Sequence, residues 1–153
     1  PQVYEMTNYE KSNSVTAVDF EPSGRARRIA QGILGSGGYE ERQKLSHFLI
    51  NELAFNAEVE RLKIRIKNVK QWHKKSNGRV AVKKYGVYYP RSKSITIQNL
   101  TAVRGQELAP KTFLDTLLHE WMHHYDFERL SLNSIHTKGF YERIRSLKEG
   151  LVS

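Results

Sequence analysis

The stretch Leu117-Leu118-His119-Glu120-Trp121-Met122-His123-His124-Tyr125-Asp126 constrains this chain more than any other. His119 and His123 are four residues apart. At about 3.6 residues per turn, both imidazoles stand on one helix face, about one turn apart. Glu120 falls about 100° round the helix from His119, so it can reach a water beside a bound ion without being a ligand. His-Glu-x-x-His on a helix is the pattern of a zinc site with two imidazole ligands and a carboxylate base. Leu114, Leu117, Leu118, Trp121, Met122 and Tyr125 form an apolar stripe at i, i+3, i+4, i+7 spacing, and the two histidines flank it. The spacing predicts one strong helix over about 111–130, buried along the stripe and carrying its chemistry at the margin.

Such a site needs a third protein ligand and an open fourth position. With no cysteine in the chain, disulfides and thiolate ligands are excluded and histidine is the strong nitrogen ligand that remains. Four of the six histidines lie between 119 and 136. His136, just before a final helix over about 137–147, is where a reversing chain would return to the metal, and it is the preferred third ligand. Glu142, on that last helix, is the alternative. Asp126 and Arg129 occupy the third and sixth positions after His123, where a metzincin has Gly and His, so that class is out. Asp126 and Asp115 suit a role in orienting an imidazole N–H. His124 is a neighbour of the site or a donor to a transition state. The chemistry is hydrolysis: zinc activates a water, and Glu120 takes its proton and passes it to the leaving amine.

The rest of the chain reads as α+β. Residues 1–38 form an N-terminal arm, with a short strand at 15–20 and a short helix over about 25–34 capped by Ser23. Arg25, Arg27 and Arg28 cluster near the start of that helix. Gly35-Ser36-Gly37-Gly38 is a connector; no Lys-Ser/Thr pair follows it, which excludes a phosphate loop. The catalytic domain is 39–153. A helix over 39–58 is followed by a strand at 62–69, where Leu62, Ile64 and Ile66 alternate with Lys63, Arg65 and Lys67. Trp72 and His73 fall in a polar turn, with Asn77-Gly78 as a tight-turn signal. A second strand at 79–89 has Gly86 at a bulge, and a third covers 94–100. Short connections predict a small antiparallel or mixed three-stranded sheet packed on helices.

The net charge of +9 is unevenly spread. Residues 61–106 contain no Asp or Glu and 13 Lys or Arg. Lys63, Arg65, Lys67, Lys74, Lys75, Lys83 and Lys84 are the nucleic-acid-binding candidates of this block. Tyr85, Tyr88 and Tyr89 either stack on bases or pack across strands, with packing favoured. No window has the 18 apolar residues of a membrane span. The expected setting is cytoplasmic, or nucleoid or nuclear if DNA is bound. Secretion stays open because the chain starts at Pro1 and a leader can have been removed.

Taken together, 39–147 resembles the SprT-like metalloprotease family, the group that includes the Spartan protease domain. The likeness is carried by the helix and basic strands, Ser94-Ile95-Thr96-Ile97, the Leu117–His123 motif, and His136 followed four residues later by Phe140. The family commonly has Gly after the third His; here Thr137 follows, and the family's Cys-rich ribbon is absent. The resemblance implies a zincin-like fold with the motif helix central, Zn2+ held by His119, His123 and His136, Glu120 as base, and a protein substrate, with DNA-crosslinked proteins as one class. The competing expectation is a basic nucleic-acid-binding module with a vestigial or structural zinc site.

Overall fold

The computed structural model describes residues 5–70, 72–76 and 79–153; within 72–84 it describes the backbone of the strands only. The described chain is α+β, with five helices, a three-stranded mixed sheet and a separate two-stranded ribbon. The helices are α1 (Asn8–Ser14), α2 (Gly24–Leu34), α3 (Tyr39–Ala57), α4 (Pro110–Glu128) and α5 (Lys138–Val152). The strands are β1 (Lys63–Lys70), β2 (Trp72–Ser76), β3 (Arg79–Lys84), β4 (Gly86–Tyr89) and β5 (Ser94–Leu100).

The helix boundaries have local causes. Ser23 caps α2 by accepting from the Ala26 N–H, and Thr137 caps α5 by accepting from the Phe140 N–H. Pro110 opens α4, where its missing N–H costs nothing. The first helix, α1, was not anticipated, although its signal is in the sequence. Thr7 and Glu10 form a reciprocal capping box, and Thr-x-x-Glu is legible by eye. The expected strand at 15–20 does not form. There, side chains take the place of a ladder: Val18 N–H donates to Ser146 Oγ and Asp19 N–H to the Tyr125 hydroxyl.

The sheet corrects the expected strand layout. Its order is β1-β5-β4, with β1 parallel to β5 and β4 antiparallel to it. A parallel pair needs a crossover of a dozen or more residues, and residues 71–93 supply it. The single strand expected over 79–89 is broken at Tyr85. Its first half, β3, pairs with β2 as a ribbon, and its second half, β4, joins the main sheet. Gly86 therefore opens a strand rather than forming a bulge inside one, and His73 lies in a strand rather than a turn. The Asn77-Gly78 turn lies outside the described residues.

The two outer edges of the sheet differ. Along β1, amide side chains from α3 occupy the outward backbone groups. Gln43 donates to Ile64 O and accepts from Ile66 N–H, and Asn51 does the same for Leu62 at both its O and its N–H. Along β4, no strand of the described residues pairs with the outer edge.

The core lies between the sheet and α2, α3, α4 and α5. The apolar stripe of α4 is buried in it: Leu114, Leu117, Leu118, Trp121, Met122 and Tyr125. The buried Trp121 indole N–H is satisfied by Ile50 O at 3.1 Å. The N-terminal arm is part of the packed body. Its α1 meets the start of α5 so closely that a Cβ on Gly139 would stand 2.1 Å from the Ser12 carbonyl oxygen. Backbone cannot yield as a flexible side chain does. Gly139→Ala is therefore expected to destabilise the protein by about 1–3 kcal/mol, whereas Gly37→Ala, in open space, stays within about 0.5 kcal/mol. Thermal melts of the two variants beside the wild type check this; equal melts would show that α1 is not docked on α5.

Candidate metal centre

Helix α4 carries the motif, and the loop after it returns the third histidine. His119 Nε2 lies 3.2 Å from His136 Nε2, and His123 Nε2 lies 3.1 Å from the same atom. Among the described residues these three form the group with donor atoms close enough to hold one metal ion. Ligands about 2.0–2.1 Å from a tetrahedral ion stand about 3.3–3.4 Å apart, so the nitrogen spacing fits a metal of that size. Three imidazole donor atoms within 4.8 Å of one another can share one cation. Burial, and then the neighbouring His136, pull the His119 imidazole down to about 4, so it stays neutral and ligand-competent well below neutral pH. The histidine rings pack against Phe140, whose ring centroid is 4.7 Å from that of His123 and 5.1 Å from that of His119. Phe140 sits at the first turn of α5, locked by the Thr137 cap.

Nitrogen choice at His123 is set from behind. Ser134 Oγ is 2.7 Å from His123 Nδ1 and donates its own proton to Asp126 Oδ2 at 2.8 Å. The serine oxygen must then accept from Nδ1–H, which leaves Nε2 bare for a metal. Asp126 thus acts on the imidazole through Ser134, one link further away than the sequence suggested. Asp126 is itself fully buried and held by both arms of the buried Arg143, at 3.0 and 2.9 Å. Burial pushes the Asp126 carboxyl up, while Arg143 and Ser134 pull it down. Arg143 is completed from the N-terminal arm, donating to Ser12 O at 2.6 Å and Val15 O at 2.7 Å. The same arm pins the loop that carries His136. Asn8 and Asn133 bond reciprocally, and Lys11 donates to Leu130 O.

The other candidates fall as follows. Glu120 is buried and lines the cleft beside the histidines. A Cβ on Gly86 would stand 3.1 Å from Glu120 Cγ and 3.2 Å from Thr116 Cγ2, so the bare glycine leaves room for the carboxylate. Asp115 lines the cleft and pairs with Lys148 at 2.7 Å. His124 is fully buried, with Nε2 2.8 Å from Glu60 O and Nδ1 2.7 Å from the Tyr88 hydroxyl. A carbonyl only accepts, so Nε2 carries the proton and Tyr88 donates to Nδ1. With both nitrogens engaged, His124 fixes Tyr88. Glu142 sits 3.9 Å from Lys138, outside the histidine cluster. Lys63, Arg65 and Lys67 lie along β1, at the edge of the sheet remote from β4. Lys74, Lys75, Lys83 and Lys84 lie on the β2–β3 ribbon, and their side chains are outside the described residues.

Sequence reasoning missed Ser134, Arg143, Gly86, Tyr88 as a cleft residue, and Phe127. Their roles come from the return of α5 and the placing of β4, which no local pattern encodes. The cleft has a volume of about 840 Å³ and is walled by β4, α4 and the 133–136 loop. No protein-family model, no curated protein and no solved structure matches the chain.

Two outcomes are expected. Ser134→Ala should weaken zinc binding about 10- to 100-fold, read by competition with a chromophoric chelator; unchanged affinity would remove the serine from the site. In the metal-free protein, the values for both His119 and His124 lie below the ordinary 6.5, in each case mainly through burial. As pH falls below about 6.5, the unfolded chain takes up protons that the folded chain refuses. Stability in chelator should therefore decline from pH 7 towards 4, and urea melts across that range check it; a flat profile would contradict the buried, neutral imidazoles.

Proposed function

We propose that the chain is a zinc-dependent metalloendopeptidase of SprT-like, zincin-like type, with α4 as its central helix. The observation that supports this best is that His119 Nε2 and His123 Nε2 lie 3.2 and 3.1 Å from His136 Nε2, with all three donor atoms within 4.8 Å of one another and the buried Glu120 on the same cleft. His119, His123 and His136 would hold the zinc, and the Ser134–Asp126 pair presents Nε2 of His123 towards it. Zinc, when bound, polarises the scissile carbonyl and acidifies a water.

Glu120 then has the protein's share of the chemistry. Its carboxylate takes a proton from the attacking water and delivers it to the amine that leaves. Gly86 keeps the space that the carboxylate needs. Strand β4 offers a surface for an extended substrate. Gln98 N–H donates to Tyr85 O, so residues 85, 87 and 89 face β5, and the backbone groups of Gly86 and Tyr88 point to the outer edge. A peptide paired there runs past Glu120. This is strand addition, in which main-chain bonds give affinity without reading sequence.

The basic strand β1 lies at the opposite sheet edge, so a polyanion bound there would leave the cleft clear. This favours DNA as a companion of the proteolytic reading, with DNA-associated proteins as substrates. A nucleic-acid-binding module with a structural zinc is the second reading. It predicts salt-dependent DNA binding and no cleavage.

Glu120→Gln is expected to bind zinc as well as the wild type and to lose at least about 100-fold in cleavage of an unfolded protein substrate. Gly86→Ala should also keep its zinc and lose about tenfold or more through displacement of the carboxylate. Metal analysis beside a gel-based digestion reads both. A Glu120→Gln protein that cuts as well as the wild type would overturn the mechanism.

A further inference from the structure

The cleft is chemically lopsided. Going along α4 from the motif towards its C-terminus, Phe127 follows His123 by four residues and so stands on the same face one turn on. It is 40 % exposed, although its neighbours Asp126 and Tyr125 are fully buried. Tyr88 faces it from β4, with ring centroids 6.4 Å apart at a tilt of 52°. Pro90, just past the end of β4, also lines the cleft. At the other end of the cleft the lining is polar: Thr112, Asp115 and Thr116.

The aromatic end is rigid. The Tyr88 hydroxyl is tied down by His124, and His124 by Glu60 O, so the phenol ring cannot swing into the space beside Phe127. Burial pushes the Tyr88 phenol up to about 12, which keeps it neutral. The two rings are in aromatic contact and together present an apolar surface to the cleft; a large apolar side chain laid on that surface removes apolar area from water on both sides.

The direction of the chain follows from the strand. β4 runs from Gly86, beside Glu120, to Tyr88, beside Phe127. Antiparallel pairing is the more stable per residue, and a peptide added in that sense passes Tyr88 before it reaches Gly86. Its residues at the aromatic end therefore precede the bond that lies at Glu120.

We infer that Phe127 and Tyr88 form a specificity subsite that takes a large apolar side chain, aromatic, leucine or methionine, one to three residues on the amino side of the cleaved bond. The inference rests on the peptidase reading above and names which segments of a protein that peptidase would choose. Such segments are buried in folded proteins, so the subsite directs the enzyme to unfolded or partly unfolded chains. Phe127 and Tyr88 act here on substrate choice and not on the bond-breaking step.

The test is cleavage-site profiling of a peptide library with the zinc-loaded full chain, followed by kcat/KM on a matched pair of peptides. The pair differs only in carrying Phe or Ala at the position that the profile selects. The wild type is expected to enrich Phe, Tyr, Leu and Met within three residues before the cut and to favour the Phe peptide about tenfold or more. Phe127→Ala should collapse that ratio at least fivefold, and Phe127→Leu should give an intermediate ratio. The side chain is partly exposed, so neither change opens the core; melts of both variants establish that they are folded. A profile with no apolar preference on the amino side, or a ratio unmoved in folded Phe127→Ala, overturns the subsite while leaving the peptidase intact. An apolar preference on the carboxyl side overturns the antiparallel direction and with it the inference. Failure of the zinc-loaded wild type to cut any peptide or unfolded protein overturns the peptidase reading itself.

Discussion

The ion pair between Arg143 and Asp126, with both side chains fully buried, holds the arrangement together. Two charges taken out of water are costly unless every remaining donor and acceptor is met. Here they are met from three directions. Asp126 accepts from both arms of Arg143 and from Ser134; Arg143 spends its other donors on Ser12 and Val15. The pair joins α4 to α5, both helices to the N-terminal segment, and through Ser134 all of them to His123. Breaking one partner would strand the other in an apolar interior, so the network forms as a unit. The candidate metal centre, with two of its histidines on α4 and the third on the loop that this network braces, is thereby tied to the most constrained part of the molecule.

This makes the N-terminal segment part of the site's foundation. Nothing in residues 8–15 lines the cleft. Their carbonyls and short polar side chains nevertheless hold the guanidinium that holds the aspartate, and they brace the loop that delivers His136. The close contact at Gly139 is the steric side of the same arrangement. A helix of seven residues has little stability of its own; α1 exists because α5 and the 130–137 loop give it partners.

What the sequence made legible divides along physical lines. The α4 helix and the shared face of its two histidines could be read because helical periodicity is local and i, i+4 spacing is a property of one turn. His136 could be named because histidine was the one strong nitrogen ligand remaining. The caps at Ser23 and Thr137 are equally local, and the Thr7–Glu10 box could have been found by the same rule. Strand pairing was another matter. Alternation in Leu62, Ile64 and Ile66 predicts a strand, but not that it would lie parallel to β5 across an intervening ribbon. The break at Tyr85 depends on where β5 offers a partner. Ser134, Arg143 and Phe127 gained their places around the cleft from distant neighbours, so a serine, an arginine and a phenylalanine carried no mark of it in the chain.

The asymmetry of the sheet edges bears on how the protein behaves in a crowd. Gln43 and Asn51 act as stand-in peptide groups at Leu62, Ile64 and Ile66, so the first half of that edge is closed to a foreign strand. Lys63 and Arg65 on the same strand add charge that discourages stacking. A sheet with two open edges can be extended at both and grows into a fibre; here the β1 edge is closed over residues 62–66, and among the described residues no strand pairs with the outer edge of β4. A strand that lands there finds the far side closed over residues 62–66, which works against its being relayed to the next molecule. A strand added at β4 therefore makes a poor seed for a fibre, because the order of the sheet does not repeat from one molecule to the next.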